Sequence, residues 1–265
     1  MWLNALSILS IALYLLGTAE LAGPLTGCPH TLRRSGLAAG SAAVLVHAAV
    51  LFGEHGGRLD LHFFAALSLV ACVVAALTLL VNLARPVAAL GVLVFPLAAL
   101  LLALDSFVAP PTAPMSMDWQ IKLHVTVALL AFSVLSIAAA LAILLALQER
   151  ALRHRHFGSW LRALPPLTLT ETLLFRLIGT GFALLTLTLL TGILFVSNLF
   201  GQDLVQKSVL SILAWIVFGT LLLGRLRHGL RGRQAVNLIL VGMTLLVLAF
   251  FGSKLMLELV LHRPG

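Results

Sequence analysis

Apolar residues in this chain come in blocks of about twenty, and charge, proline and glycine collect in the short stretches between them. A block of that length suits a helix crossing the hydrocarbon of a bilayer. About eight spans are expected: Leu3–Ala22, Leu37–Phe52, Leu61–Leu83, Val87–Val108, Trp119–Leu147, Thr172–Leu199, Ser208–Leu223 and Ala235–Leu261. The stretch from Trp119 to Gln148, WQIKLHVTVALLAFSVLSIAAALAILLALQ, carries Lys122 as its only formal charge. A helix satisfies its own backbone polar groups in lipid, so the expected fold is all-α, a polytopic membrane bundle. The intervening stretches are too short to hold a soluble domain. A single transmembrane domain over residues 1–265 is expected, with four spans in 1–118 and a four-helix core in 119–262.

Charge gives the spans a direction. The stretches after the first, third, fifth and seventh spans carry Arg33 and Arg34, then Arg85, then Arg150, Arg153, Arg155 and Arg162, then Arg225, Arg227, Arg231 and Arg233. Of basic residues, the alternate stretches carry only Arg58, then none in the segment with Pro110, Pro111 and Pro114, then Lys207 beside Asp203. Short cationic loops stay in the cytoplasm, so both termini are expected in the periplasm and His124 near an outer helix end. The net charge of +8 has the same origin, and nucleic acid is not an expected partner. The overall balance fits this class, with 61% hydrophobic residues and a mean hydropathy of +1.11. The first span lacks a basic leader, and Glu20 is its first charge, so a retained helix is expected rather than a cleaved signal. Cys28 and Cys72 form no CxxC pair and indicate neither a disulfide framework nor a zinc site.

Small residues mark expected close approaches between helices: Ala38 to Ala43 in span two, and Gly179, Gly181, Thr191 and Gly192 in span six. Pro96 is expected to bend span four. Polar residues inside spans are costly and are candidates for function. Arg176 lies close enough to an inner end to reach the headgroups. Lys254 precedes Glu258 by one turn, which allows an ion pair or a grip on an anionic ligand. His30, His55, His62, His154, His156 and His228 occupy interfacial positions. His47 lies roughly 15 Å into span two, where it is either hydrogen-bonded to another helix or a ligand to metal or haem. His124 opens span five and His262 closes span eight, both at the expected outer face. They are either unrelated interfacial residues or two imidazoles that hold a haem iron from both sides.

Four segments carry a resemblance. WQIKLHVTVALLAFSVLSIAAALAILL, ETLLFRLIGTGFALLTLTLLTGILF, LSILAWIVFGTLLLGRLRHGLRGRQAV and FGSKLMLELVLH follow one another from Trp119 to His262. In order and spacing they resemble the last four spans of the cytochrome c assembly family, the CcsA- and HemX-like membrane proteins. The resemblance implies that His124 and His262 are the family's two external histidines, which bracket a haem beside a Trp-rich, WWD-type segment. Here the corresponding segment reads SNLFGQDLVQKSVLS, with no tryptophan. The nearest is Trp215, inside span seven, while Lys207 matches the family's lysine. This departure points to the compact HemX-like branch and away from a complete haem-to-apocytochrome ligase.

The expected function is haem handling in the bacterial inner membrane, assisting cytochrome c or haem-protein biogenesis by binding rather than turnover. The expected cofactor is a b-type haem, held weakly or transiently. His124 and His262 would ligate its iron. Trp119, Phe107 and Phe200 would supply apolar surface, Lys122, Lys207 and Lys254 would meet the propionates, and His47 would be a further ligand within the membrane. Partners would be haem, the lipid bilayer and other proteins of cytochrome biogenesis or the haem pathway. The alternative is a regulatory or scaffold protein that binds no haem and acts through its basic cytoplasmic loops. A small-solute transporter finds little support, because no inverted repeat is evident.

Overall fold

A computed structural model describes residues 2–23, 32–54, 62–84, 87, 89–109, 118–154, 164, 166–195 and 202–252. The described residues form eight long helices: α1 (Trp2–Ala22), α2 (Leu32–Glu54), α3 (Phe63–Ala84), α4 (Ala89–Phe107), α5 (Trp119–Arg153), α6 (Leu167–Phe195), α7 (Gln202–His228) and α8 (Gly232–Val247). The last continues into a π-helical turn, Leu248–Gly252. All eight are long and apolar enough to cross a membrane, so this is an all-α, multi-pass membrane protein. Two compact units are present. One comprises Met1–Met115 with Arg150–Leu169, and the other Ser116–Glu149 with Thr170–Gly265.

The first unit is built around α1, which packs on α2 and α4, while α3 packs on α4 and α2. The buried face of α1 is Ser7, Ser10, Tyr14, Gly17 and Leu21, which recur at helical spacing. Gly17 lies against the backbone of α2: a methyl added there would stand 3.0 Å from the Gly36 carbonyl oxygen and 3.3 Å from the Gly40 nitrogen. Of the small residues of α2 expected to allow a close approach, Gly40 makes it, together with Gly36 one turn before. The fully buried Phe95 ring occupies the slot lined by Gly17, Gly40 and Gly91, with the Tyr14 ring centroid 5.7 Å away.

Several polar groups in this core are paired across helices. The Ser10 hydroxyl donates to the Ala43 carbonyl at 2.9 Å, and the Ser106 hydroxyl donates to Ser7 Oγ at 3.0 Å. His47 is fully buried, with Nδ1 3.2 Å from the Tyr14 hydroxyl and Nε2 3.0 Å from Ser68 Oγ. Of the two roles open to His47 in the sequence, the structure displays hydrogen bonding to α1 and α3. Both ring nitrogens are engaged, and iron ligation there would first have to break one of these bonds.

In the second unit, α6 buries Thr170, Leu174, Ile178, Gly181, Leu185, Thr188, Thr191 and Gly192. Gly181 receives Leu135 of α5, whose Cδ2 lies 2.6 Å from the place of an added methyl. The Trp215 ring of α7 stacks on Phe182 of α6 at 5.4 Å, and its indole N–H donates to Thr186 Oγ1 at 2.9 Å. Helix α8 approaches α7 where Gly242 faces Phe218, and its π turn brings Phe250 and Phe251 to 5.1 and 5.5 Å from the Phe132 ring of α5.

The end of this unit that carries the basic residues is tied together by Arg225. Its Nη1 is 2.9 Å from Glu171 Oε1 and 3.4 Å from the Leu230 carbonyl oxygen, and its guanidinium carbon lies 4.5 Å from the Phe175 ring centroid. Arg231 Nε adds a longer contact to the same carboxylate oxygen at 3.6 Å. The α7–α8 turn needs left-handed backbone at Gly229 and Gly232, with φ of 64° and 60°, which glycine adopts without a Cβ clash.

Candidate functional site

At the opposite end of the second unit, the first two turns of α5 meet the last two of α6. Trp119 opens α5, and its ring lies 6.0 Å from that of Phe195, the last residue of α6. Two-thirds of Trp119 is exposed (66%), leaving a broad aromatic face accessible. Lys122 is exposed on the same first turns. His124 is half-buried and turns toward α6, where Nδ1 lies 3.0 Å from Thr191 Oγ1. The imidazole stands over Gly192, since an added methyl there would lie 3.3 Å from Cε1. The Thr188 backbone also hydrogen-bonds the ring, and no bond to Nε2 is seen among the described residues.

The structure therefore brings Trp119, Lys122 and His124 together on one helix end. Lys207 stands in the opening turns of α7 within the same unit, partly buried. His47 belongs to the first unit, as does Phe107, which is half-exposed at the end of α4. His262, Lys254, Glu258 and Phe200 lie outside the described residues. Trp215 is fixed on α6 by stacking and by its hydrogen bond, roughly 12 Å along α7 from Lys207.

Sequence reasoning assigned Thr191 and Gly192 to helix packing and did not connect them, or Phe195, with His124. The signal was present: a Thr-Gly pair near the end of one helix, at the end expected to lie beside the histidine that opens the helix before it.

The donor chemistry fits haem. An imidazole with one nitrogen anchored and the other open is an axial ligand type, and the neighbouring rings offer flat apolar surface. The exposed Lys122 ammonium is suited to a propionate carboxylate.

The chain is similar to several known proteins. Inner membrane protein YpjD of Escherichia coli (strain K12) is 37% identical over 137 residues, 52% of each chain. An uncharacterized 28.8 kDa protein of Azospirillum brasilense is 36% identical over 143 residues, 53% of each. Cytochrome c biogenesis protein CcsA of Chlamydomonas reinhardtii is 26% identical over 187 residues, 66% of this chain and 51% of that one. The chain thus spans about half the length of the curated relatives it matches. No solved structure matches it. The family described as cytochrome C assembly protein matches residues 36–261, which takes in seven of the eight helices and the whole of the His124 region. This chain belongs to the cytochrome c assembly protein family.

Proposed function

We propose that this protein handles haem at the outer face of the bacterial inner membrane, in support of cytochrome c or haem-protein biogenesis. Membership of the family and the relatives named for cytochrome c biogenesis support the pathway. One observation carries the site: His124 is anchored through Nδ1 and leaves Nε2 open beside an exposed tryptophan. His124 and His262 would hold the iron, Trp119 would cover part of the porphyrin face, and Lys122, Lys207 and Lys254 would neutralise its carboxylates. The haem supplies the prosthetic group itself; the protein's residues bind it, orient it and keep one edge accessible. Accessory binding and presentation, with no catalytic residue, is the reading that this set of side chains supports.

The absence of tryptophan from SNLFGQDLVQKSVLS bears on affinity. Rings that would seat a flat ligand are missing there, and Trp215 is already committed to Phe182 and Thr186. Detergent-purified protein is expected to be mostly free of haem and to develop a Soret band when haemin is added. The protein is not expected to attach haem to a CxxCH apocytochrome unaided. Stoichiometric haem after purification would overturn the weak-holding part of this reading. A titration with no saturable spectral change would remove haem binding and favour a scaffold acting through the basic loops.

Direction is tested separately. A cysteine beside Arg231 or Arg155 is expected to resist an impermeant maleimide added outside intact cells, and one at Pro111 to react. The reverse pattern would put His124 at the cytoplasmic end and defeat an outer-face role.

A further inference from the structure

The backbone carbonyls around the hydrogen bond between His124 and Thr191 favour one direction for it. Thr191 Oγ1 lies 3.0 Å from the Leu187 carbonyl oxygen and 3.0 Å from that of Thr188. Carbonyl oxygens only accept, and either of these two can take the hydroxyl's one proton, which leaves the threonine oxygen free to act as an acceptor. Its lone pairs face the remaining neighbour, Nδ1 of His124, at 3.0 Å. With that proton given to the helix, Nδ1 of a neutral ring carries the hydrogen and Nε2 the lone pair.

Gly192, the next residue, makes room for this arrangement. An added methyl would lie 3.3 Å from Cε1 and 3.8 Å from Nδ1, so a larger side chain pushes against the ring edge that makes the bond.

We propose that Thr191 and Gly192 are positioning residues for His124: the hydroxyl holds the imidazole in its Nδ1–H form, the glycine clears its place, and Nε2 is presented as the donor atom. The inference rests on the haem reading for its purpose, but the state of the ring can be observed without haem. Partners of this kind behind a ligating histidine fix its tautomer and orientation, and losing one costs about 10- to 100-fold in affinity.

The test uses the full chain in detergent with 15N-labelled histidine, and His124 is assigned by the signal missing from H124A. At a pH where the ring is neutral, the wild type is expected to show protonated Nδ1 and bare Nε2. Thr191→Val keeps the shape and removes the acceptor, so the ring is expected to pass to the Nε2–H form that an unconstrained imidazole favours. Thr191→Ser is expected to restore the wild-type signal. With haemin as the probe, Thr191→Val is expected to weaken binding about 10- to 100-fold, Thr191→Ser far less, and Gly192→Val at least as much as Thr191→Val. An unchanged tautomer in Thr191→Val overturns the proposal, as does unchanged haemin affinity in a protein whose tautomer has switched. A tautomer that responds in a protein that takes up no haemin removes the haem reading alone and leaves the hold of Thr191 on the ring established.

Discussion

Replacing His124 by alanine is expected to abolish the Soret band that the wild-type protein develops with haemin. The expectation follows from how few other groups can hold the ligand. A porphyrin at a membrane surface is retained by aromatic burial, by pairing of its carboxylates and by ligation of its iron. Among the described residues, the aromatic pair near His124 is Trp119 with Phe195, and Trp119 is itself 66% exposed. Exposed lysine–carboxylate pairs in water contribute only about 0–1 kcal/mol each. Ligation must therefore carry most of the affinity, and alanine removes the nitrogen with its side chain. The substitution also leaves Thr191 with its bonds to Leu187 and Thr188, so the fold should survive. His228→Ala, exposed at the far end of α7, is the matched control and should titrate as wild type. An equal band and equal affinity in the His124 variant would falsify the site.

The largest expected loss of stability lies in the other unit. Gly40→Val is expected to destabilise the protein by more than Gly40→Ala, for which overpacking costs about 1–3 kcal/mol. A methyl at Gly40 would stand 2.5 Å from Cε2 of Phe95. The ring has no direction in which to withdraw, because it is fully buried, Tyr14 lies on it, and Gly17 and Gly91 line its other contacts. Displacing the ring or separating α2 from α4 is then the remaining response. Gly179→Ala is the contrasting case: nothing lies within 4 Å of the added methyl, and helix propensity favours alanine by about 1 kcal/mol. Unfolding by titration with a denaturing detergent should rank these variants as Gly179→Ala at or above wild type, then Gly40→Ala, then Gly40→Val. A Gly40→Val protein as resistant as wild type would show that the slot around Phe95 is not tight.

The spans were legible because hydrocarbon imposes a long apolar run that few other environments demand. Their ends were less so. The fifth span was expected to close at Leu147, but α5 runs to Arg153, and the seventh was expected to close at Leu223, whereas α7 runs to His228. Hydropathy stops at the first charges, while the helix carries on into the headgroup region, where Arg150, Arg225 and Arg227 are at home. The expected Ala235–Leu261 span begins earlier, at Gly232, and within the described residues turns π-helical at Leu248, which no local pattern announces. At the site, the histidine was visible as a polar residue in an apolar run. Its partner was not, since a threonine bonded to its own helix looks the same in sequence whether or not a neighbour uses its lone pairs.

The Tyr14–His47–Ser68 contact bears on how the first unit enters the membrane during synthesis. The partners of His47 come from the helices before and after its own. When α2 leaves the ribosome, Tyr14 is already available, but Ser68 follows 21 residues behind the histidine. Until α3 arrives, one ring nitrogen has no protein partner, and a buried polar group in that state costs about 1–3 kcal/mol. Pairing of that nitrogen therefore waits for α3, whose Ser68 supplies the missing partner. Closing this one imidazole makes three successive helices complete their integration together.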